Sequence, residues 1–279
     1  MILPQFYVDN IIKTALSEDI NYIDVTTDYL IAEDAVSEAS FVAKAEGTLA
    51  GIDVAMRVFE LLDPSIKREV FIHDGEQVSK GDVIAKLNGS TRFILKGERT
   101  ALNLLQHMSG IATAAHKCVM LCGDSKAAVT DTRKTLPGMR ALQKYAVTAG
   151  GGKNHRFNLS DGAMIKDNHI DAYGGIIPAV TALREKIGHM VKIEVEVRNK
   201  DELMQAIEAG ADVIMLDNMS CAEMAECVKL TDGRAKLEAS GNITLDNIAD
   251  VAATGVDIIS LGALTHSVKA FDISLRITG

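Results

Sequence analysis

The sequence contains no tryptophan, and aromatic residues of all kinds make up only 4% of its 279 positions. Proteins that hold single-stranded nucleic acid stack bases on aromatic rings, and this chain has few to offer. Basic charge is also short. Against 38 Asp and Glu stand 29 Lys and Arg, a net charge of −9 that argues against nucleic acid or an anionic membrane surface as partner. No apolar run approaches the roughly 18 residues that span a bilayer. The opening MILPQFYVDNIIKTALSEDI lacks the basic start and small-residue cleavage site of a secretory signal. The cysteines are Cys118, Cys122, Cys221 and Cys227, with no CxxC pair and no histidine at zinc spacing. Neither a disulfide framework nor a zinc site is expected, only reduced thiols. What remains is an acidic, soluble, cytoplasmic protein acting on something small, with 47% hydrophobic residues and chain enough for a large core.

Two rhythms divide the chain. Residues 10–18 have helical periodicity, with Ile11, Ile12, Ala15 and Leu16 on one face. From 37 to 95 the runs are short, alternating and broken by glycine (SEASFVAK, EGTLAG, REVFIHDGEQVSKGDVIAKLNG), which predicts strands joined by tight turns, with one helix over 53–62 before Pro64. A long helical stretch over 97–121 follows, and Ser109-Gly110 is expected to interrupt it. Six β-type runs come next: 127–132, 163–167, 192–197, 212–217, 235–240 and 257–262. Segments such as DELMQAIEAG and TLDNIADVAATG separate them, each closing on a glycine suited to a helix C-cap. Strands alternating with helices predict a parallel sheet with right-handed crossovers, here an incomplete or atypical barrel beginning near residue 109.

In such barrels the chemistry lies where the strands end. Polar groups cluster at the end of nearly every predicted strand: Asp131 with Arg133 and Lys134, Lys166 with Asp167 and Asn168, Glu194 and Glu196, Asp217 with Asn218, Glu238 with Ser240, and Ser260. Glu194 and Glu196 share parity in IEVEV, so both face one side of the sheet. The plain reading gives each an interior salt bridge, since buried carboxylates need partners. Glu196 and Asp217, nearest the strand ends, suit a metal-bound or cationic ligand. Residues 126–169 hold eight Lys or Arg against three Asp, a local charge of +5 inside a chain of −9. There Gly150-Gly151-Gly152 runs straight into Lys153, Asn154, His155 and Arg156, a loop in which backbone and cations can approach an anion. Arg133, Lys134, His155, Arg156 and Lys166 together predict a small ligand with several negative charges. Ser240-Gly241-Asn242 and Gly262-Ala263, after the last two strands, have the form of a backbone phosphate cradle.

DTRKTLPGMRALQKYAV, GGGKNHR and MIKDNH resemble the quinolinate phosphoribosyltransferase family, as do ALSEDINYIDVTT, GERTALNLLQHMSGIAT, EVEV, MLDN, EASGNI and ISLGALTHS in the same order. The resemblance covers nearly the whole chain. It implies an α/β fold in two parts: an N-terminal α/β sandwich domain over 1–108, joined by a returning C-terminal tail at 268–279, and an open, atypical α/β barrel over 109–267. It further implies transfer of a phosphoribosyl group from phosphoribosyl pyrophosphate to quinolinate, with decarboxylation to nicotinate mononucleotide, in NAD biosynthesis and with Mg²⁺ as cofactor. Quinolinate is a dicarboxylate, for which Arg133, Arg156, Lys134 and His155, with Thr132, are the implied grip. Arg99, in GERTALN, is expected to reach the pocket from the other subunit of a dimer, or of a larger assembly of dimers. Glu196 and Asp217 would hold Mg²⁺–pyrophosphate and stabilise positive charge at the ribose, with Lys134 and Lys166 completing the catalytic set. Ser240, Gly241, Asn242, Gly262 and Ala263 would bind the 5′-phosphate. Two positions depart from the family pattern: Leu136, where Thr is frequent, and His107, where Arg is often seen, the latter at the expected dimer edge near Arg99.

Two other readings compete. The same chemistry on another acid would make this a nicotinate phosphoribosyltransferase, or a molybdate-associated relative, although a monocarboxylate needs fewer cations. The turn-rich HDGEQVSKGDVIAKLNG (73–89) is also similar to lipoyl and biotinyl carrier modules, but neither Lys80 nor Lys86 sits in the required hairpin motif.

Overall fold

The computed structural model describes residues 2–278. Along the first stretch run α1 (Gln5–Asp19), α2 (Val25–Leu30), β1 (Val36–Ala43), β2 (Gly47–Thr48), α3 (Ile52–Leu62), β3 (Lys67–Val70), β4 (Gln77–Val78), β5 (Val83–Ser90) and α4 (Thr91–Leu121). Then come β6 (Ala128–Thr130), α5 (Arg140–Ala149), β7 (Ala163–Ile165), α6 (Asp167–Tyr173), α7 (Ile176–Lys186), β8 (Ile193–Val197) and α8 (Lys200–Glu208). The chain closes with β9 (Val213–Asp217), α9 (Cys221–Thr231), β10 (Lys236–Ser240), α10 (Ile248–Ala253), β11 (Ile258–Ser260), α11 (Ala263–His266) and β12 (Ile273–Thr278). Each of the six β-type runs read after residue 121 forms a strand. Among the described residues no helix is long and apolar enough to cross a membrane.

Contacts divide the chain into two units. The first comprises residues 1–116, 135–151 and 264–279; the second comprises 117–134 and 152–263. The expected boundary stood at 108/109, whereas this division falls at 116/117 and assigns 135–151 to the first unit.

In the first unit an antiparallel sheet runs β12-β1-β5-β3, so the C-terminal strand pairs with the first one, Leu275 opposite Phe41. Phe41 and Phe59 of α3 meet edge to face, their ring centroids 6.0 Å apart, within a core that includes Leu49, Ile52, Ile84 and Leu87. Arg57 of α3 grips Asp9 of α1 with two parallel hydrogen bonds of 2.9 and 2.8 Å. That pairing holds the Asp9 carboxyl down to about 2.

The expected break at Ser109-Gly110 does not occur: α4 is continuous through it. The pair serves close packing instead. Ser109 Oγ accepts from the Ala50 N–H and donates to the Ala50 carbonyl, both at 3.1 Å. A Cβ at Gly110 would collide with the Lys269 carbonyl oxygen of the C-terminal segment. Glycine is there for its missing side chain, which a one-dimensional reading cannot tell from a helix breaker. The two departures from the family pattern also meet, on the fully buried Gln143: its Oε1 accepts from the Leu136 N–H at 2.9 Å, and its Nε2 donates to His107 Nε2 at 2.9 Å and to the Thr265 carbonyl at 3.0 Å. Burial lowers the His107 pKa, in keeping with a neutral, accepting ring.

The second unit is a six-stranded parallel sheet in the order β6-β11-β10-β9-β8-β7, leaving β6 and β7 as its edges. Registry separates two chemistries by parity. Val129, Ile165, Val195, Val197, Ile214, Leu216, Leu237, Ala239 and Ile259 share one face, all of them buried. On the other face Met164 lies beside Glu194, Glu196 beside Met215, Met215 beside Glu238, Asp217 beside Ser240, and Ser260 beside Thr130. The first face is what an α/β layer needs under its helices; the second is too polar to be an ordinary barrel core. Helix ends follow the sequence signals: Ser220 and Glu223 form a capping box on α9, and Gly210 and Gly255 take the positive φ read for the turns after α8 and α10.

Gly110→Ala is expected to destabilise the protein by ~1–3 kcal/mol through overpacking against Lys269. Chemical denaturation measures this, with Gly188→Ala, where a Cβ meets nothing within 4 Å, controlling for loss of glycine alone.

Candidate active site

Thirteen residues of the second unit enclose a cavity of about 430 Å³ on the polar face. Thr132, Arg133 and Lys134 follow β6; His155 and Arg156 come from the glycine-led loop; Lys166 follows β7; Glu196, Asp217 and Ser240 end β8, β9 and β10. All nine were singled out from sequence. Met164, Met215, Glu238 and Ser260 complete the lining. Glu238 and Ser260 were visible as strand-end polar groups, while the two methionines carried no polar signal at all.

Local structure places each group. Thr132 Oγ1 accepts from the Lys134 N–H at 3.0 Å, tightening the turn that presents both cations. The Lys153 N–H donates to the Val129 carbonyl at 2.8 Å, so the glycine-led loop runs beside β6 as an added bridge. The fully buried Asp131 then accepts from the His155 N–H at 3.0 Å and from Asn154 Nδ2 at 2.6 Å. Arg156 donates from Nη1 to the Gly162 carbonyl at 2.8 Å. Burial, followed by the neighbouring Arg133 charge, lowers the Arg156 pKa. Two guanidiniums held this close repel each other, and a carboxylate or phosphate bound between them would relieve that repulsion.

The acidic side is as well defined. Lys166 Nζ donates to Glu196 Oε2 at 2.9 Å, and Asn218 Nδ2 to Asp217 Oδ2 at 2.9 Å. Deeper, His155 Nε2 lies 3.1 Å from Glu194 Oε2 and 3.5 Å from Glu238 Oε2. Of the interior bridges read for IEVEV, Glu194 has His155 beside it in a buried position, whereas Glu196 pairs with Lys166 where both are partly exposed. Burial raises the Glu194 pKa against the lowering effect of its His155 hydrogen bond. For His155 burial pulls the pKa down, and the Glu194 and Glu238 carboxylates push it up to about 10. The Arg156 N–H pointing at Nδ1 from 2.8 Å works against that second proton. In either form Nε2–H faces the two carboxylates. The ligand atoms of His155, Glu194 and Glu238 lie within 4.8 Å of one another, near enough to hold a metal ion. The Arg156 N–H disfavours that use, because it keeps the ring proton on the nitrogen a metal would need bare.

Not every expected residue joins the cavity. Gly241, Asn242 and Gly262 lie in the loops after β10 and β11, and Ala263 opens α11, all outside the lining. Gly241 and Asn242 both have positive φ, 93° and 52°, and Asn242 Nδ2 donates to Asn218 Oδ1 at 2.9 Å, stitching the β10 loop to the β9 loop. Arg99 is exposed on α4 in the first unit.

Comparison with known proteins follows this geometry closely. The quinolinate phosphoribosyl transferase N-terminal domain matches residues 24–109, and the C-terminal domain of the same family matches 111–276. The chain belongs to the quinolinate phosphoribosyl transferase family. It is 49% identical over 261 residues to the "Probable nicotinate-nucleotide pyrophosphorylase (carboxylating)" of Bacillus subtilis, covering 94% of this chain and 90% of that one. Quinolinate phosphoribosyltransferase (decarboxylating) 1b of Nicotiana tabacum is 43% identical over 293 residues, 98% of this chain and 83% of the relative. Among solved structures, NadC from Streptococcus pyogenes superposes with a TM-score of 0.97 at 40% identity, covering 100% of this chain and 99% of that one. The nicotinate-nucleotide pyrophosphorylase of Francisella tularensis gives 0.96 at 42%, covering 99% and 98%. Residues 73–89, which suggested a carrier module, fall inside the family's N-terminal domain, and that reading ends here.

In this member of the family Arg133→Gln is expected to leave thermal unfolding unchanged without ligand, because Arg133 is exposed and repelled by Arg156. Its affinity for a pyridine dicarboxylate should fall by ~2–5 kcal/mol. Titration calorimetry with quinolinate decides the point, and wild-type affinity would remove Arg133 from the anion site.

Proposed function

We propose that the protein transfers the phosphoribosyl group of phosphoribosyl pyrophosphate to the ring nitrogen of quinolinate and releases carbon dioxide, forming nicotinate mononucleotide and pyrophosphate in NAD biosynthesis. The observation that carries this reading is the convergence of Arg133, Lys134, Arg156 and Lys166 on one cavity that also holds Glu196 and Asp217. Quinolinate presents two adjacent carboxylates; the two arginines offer a planar fork to each, and the two lysines add point charges beside them. With both carboxylates held, the pyridine nitrogen is aimed at C1′ of the ribose. The new N–C1′ bond forms as the C1′–O bond to pyrophosphate breaks, through a centre with oxocarbenium character that Glu196 and Asp217 are placed to stabilise. The ring nitrogen then bears positive charge. That charge stabilises the electron pair left on the neighbouring carbon when the C–CO₂ bond breaks, and a proton taken up at that carbon completes the product. No separate acid–base residue is required for that loss.

Glu196 and Asp217 end neighbouring strands, and carboxylate oxygens there suit Mg²⁺, a hard cation that keeps several of its waters. Bound with the pyrophosphate, Mg²⁺ would neutralise charge on the leaving group. Backbone N–H groups of the Ser240–Asn242 and Gly262–Ala263 loops would receive the 5′-phosphate. Arg99 would enter the site of a partner subunit in a homodimer, alone or within a larger assembly of dimers; its exposure leaves it available for that contact. Exposed apolar side chains on and between α1 and α2 (Phe6, Tyr22, Val25, Tyr29 and Leu30) favour association of this kind. Four free thiols fit a reducing, cytoplasmic setting.

Pyrophosphate release measured with quinolinate and with nicotinate, each with and without Mg²⁺, tests the substrate. Turnover is expected with quinolinate and Mg²⁺ only, accompanied by carbon dioxide; a comparable rate on nicotinate would make the protein a nicotinate phosphoribosyltransferase instead. Mixed dimers of Arg99→Ala and Lys166→Ala subunits are expected to regain activity that neither homodimer has, through one intact composite site. Proven heterodimers that stay inactive would rule out a shared site.

A further inference from the structure

His155 lines the cavity, and its ring is also bonded to protein groups on both sides. Nε2 faces Glu194 and Glu238, Nδ1 accepts from the Arg156 N–H, and its own N–H donates to Asp131. The Asn154 amide grips the same Asp131 carboxylate. Residues 154–156 are thus tied to β6 at one side and, through the imidazole, to β8 and β10. This stretch leads from Lys153, bridged to β6, toward β7 at the opposite edge of the sheet, and Arg156 stands on it. A second cavity of about 310 Å³ is lined by Thr130, His155, Glu194 and Glu238 among others, so His155 and Glu238 border both spaces.

Glu238 is the residue that packing alone does not explain. It is 1% exposed, and among the described residues its Oε1 has no hydrogen-bond partner. A buried carboxylate with one oxygen unsatisfied costs stability, so packing gives no reason for an acid here.

We propose that Glu238, acting with Glu194, is a positioning residue: it clamps the His155 ring and thereby sets the orientation of Arg156 toward the substrate carboxylate. The proposal rests on the assignment of Arg156 to a substrate carboxylate made above. Glu238 touches no reacting atom. Its acceptor oxygen fixes the rotation of the imidazole, the imidazole fixes the backbone N–H of Arg156, and that backbone determines where the guanidinium points.

Two substitutions separate this role from general stability. Glu238→Leu removes the acceptor while keeping the volume; Glu238→Gln keeps a carbonyl oxygen for Nε2–H. Glu238→Leu is expected to melt no lower than wild type, to raise the quinolinate KM about tenfold, and to leave the phosphoribosyl pyrophosphate KM nearly unchanged. Glu238→Gln is expected to recover most of the quinolinate KM. Wild-type quinolinate KM in the Leu variant, equal changes in both KM values, or a Gln variant no better than Leu would each overturn the clamp. If the Leu variant does not fold, the Gln variant decides through a readout that needs no substrate. In ¹⁵N-labelled protein the His155 Nε2–H proton should lie downfield and move upfield on Glu238→Gln, and an unmoved signal overturns the proposal. A moved signal in a protein that gives no turnover on quinolinate would sink the assigned reaction and leave the clamp standing.

Discussion

A carboxylate buried without a cation or donor beside it costs several kcal/mol, and the strands of this barrel bury two on their polar face. Glu194 and Glu238 stand on strands separated by β9, and a single imidazole answers both. Much follows from that one contact. The imidazole has to reach the barrel interior, so the loop carrying it has to lie beside β6; the loop is held there by the Lys153 bridge and by the buried Asp131 carboxylate. A sheet with free edges at β6 and β7 would otherwise rely on side-chain packing to stay curved. Here polar bonds cross the interior from the loop to β8 and β10. The polar interior therefore has a mechanical as well as a chemical role.

The electrostatic design has two halves. Arg133, Lys134, Arg156 and Lys166 make one side of the cavity hungry for negative charge, and Glu196 and Asp217 make the other suited to a cation or to developing positive charge. Lys166 and Glu196 join the halves directly, 2.9 Å apart and partly exposed, so either can exchange its partner for substrate at little cost. The net charge of −9 describes the outside of the molecule; the local excess of cations between residues 126 and 169 describes what it binds. That excess is not all spent on the cavity. Lys126 pairs with Asp257, Arg140 bonds Thr135, and Lys144 is fully buried on α5.

The βα rhythm, all six barrel strands and nine cavity residues were legible from the chain because each rests on local information: period-two alternation, strand ends, and glycine beside charge. What was not legible depended on neighbours distant in sequence. Ser109-Gly110 has the composition of a helix break, and only the presence of Ala50 and Lys269 turns it into a packing site. His155 has the composition of an anion ligand, and only Glu194 and Glu238, 39 and 83 positions further on, reveal what its ring bonds to. Met164 and Met215 line the cavity by virtue of register, a property of strand pairs rather than of either strand.

Parity along β8 has a consequence for how this strand can vary. Reading IEVEV, both glutamates share the polar face of the sheet and Ile193, Val195 and Val197 the apolar one. A shift of one residue would put two carboxylates under the helices and three apolar side chains onto the polar face. Both faults would arise together, so a single insertion or deletion here breaks the strand's alignment on both faces at once, whereas an exchange within either face leaves it intact.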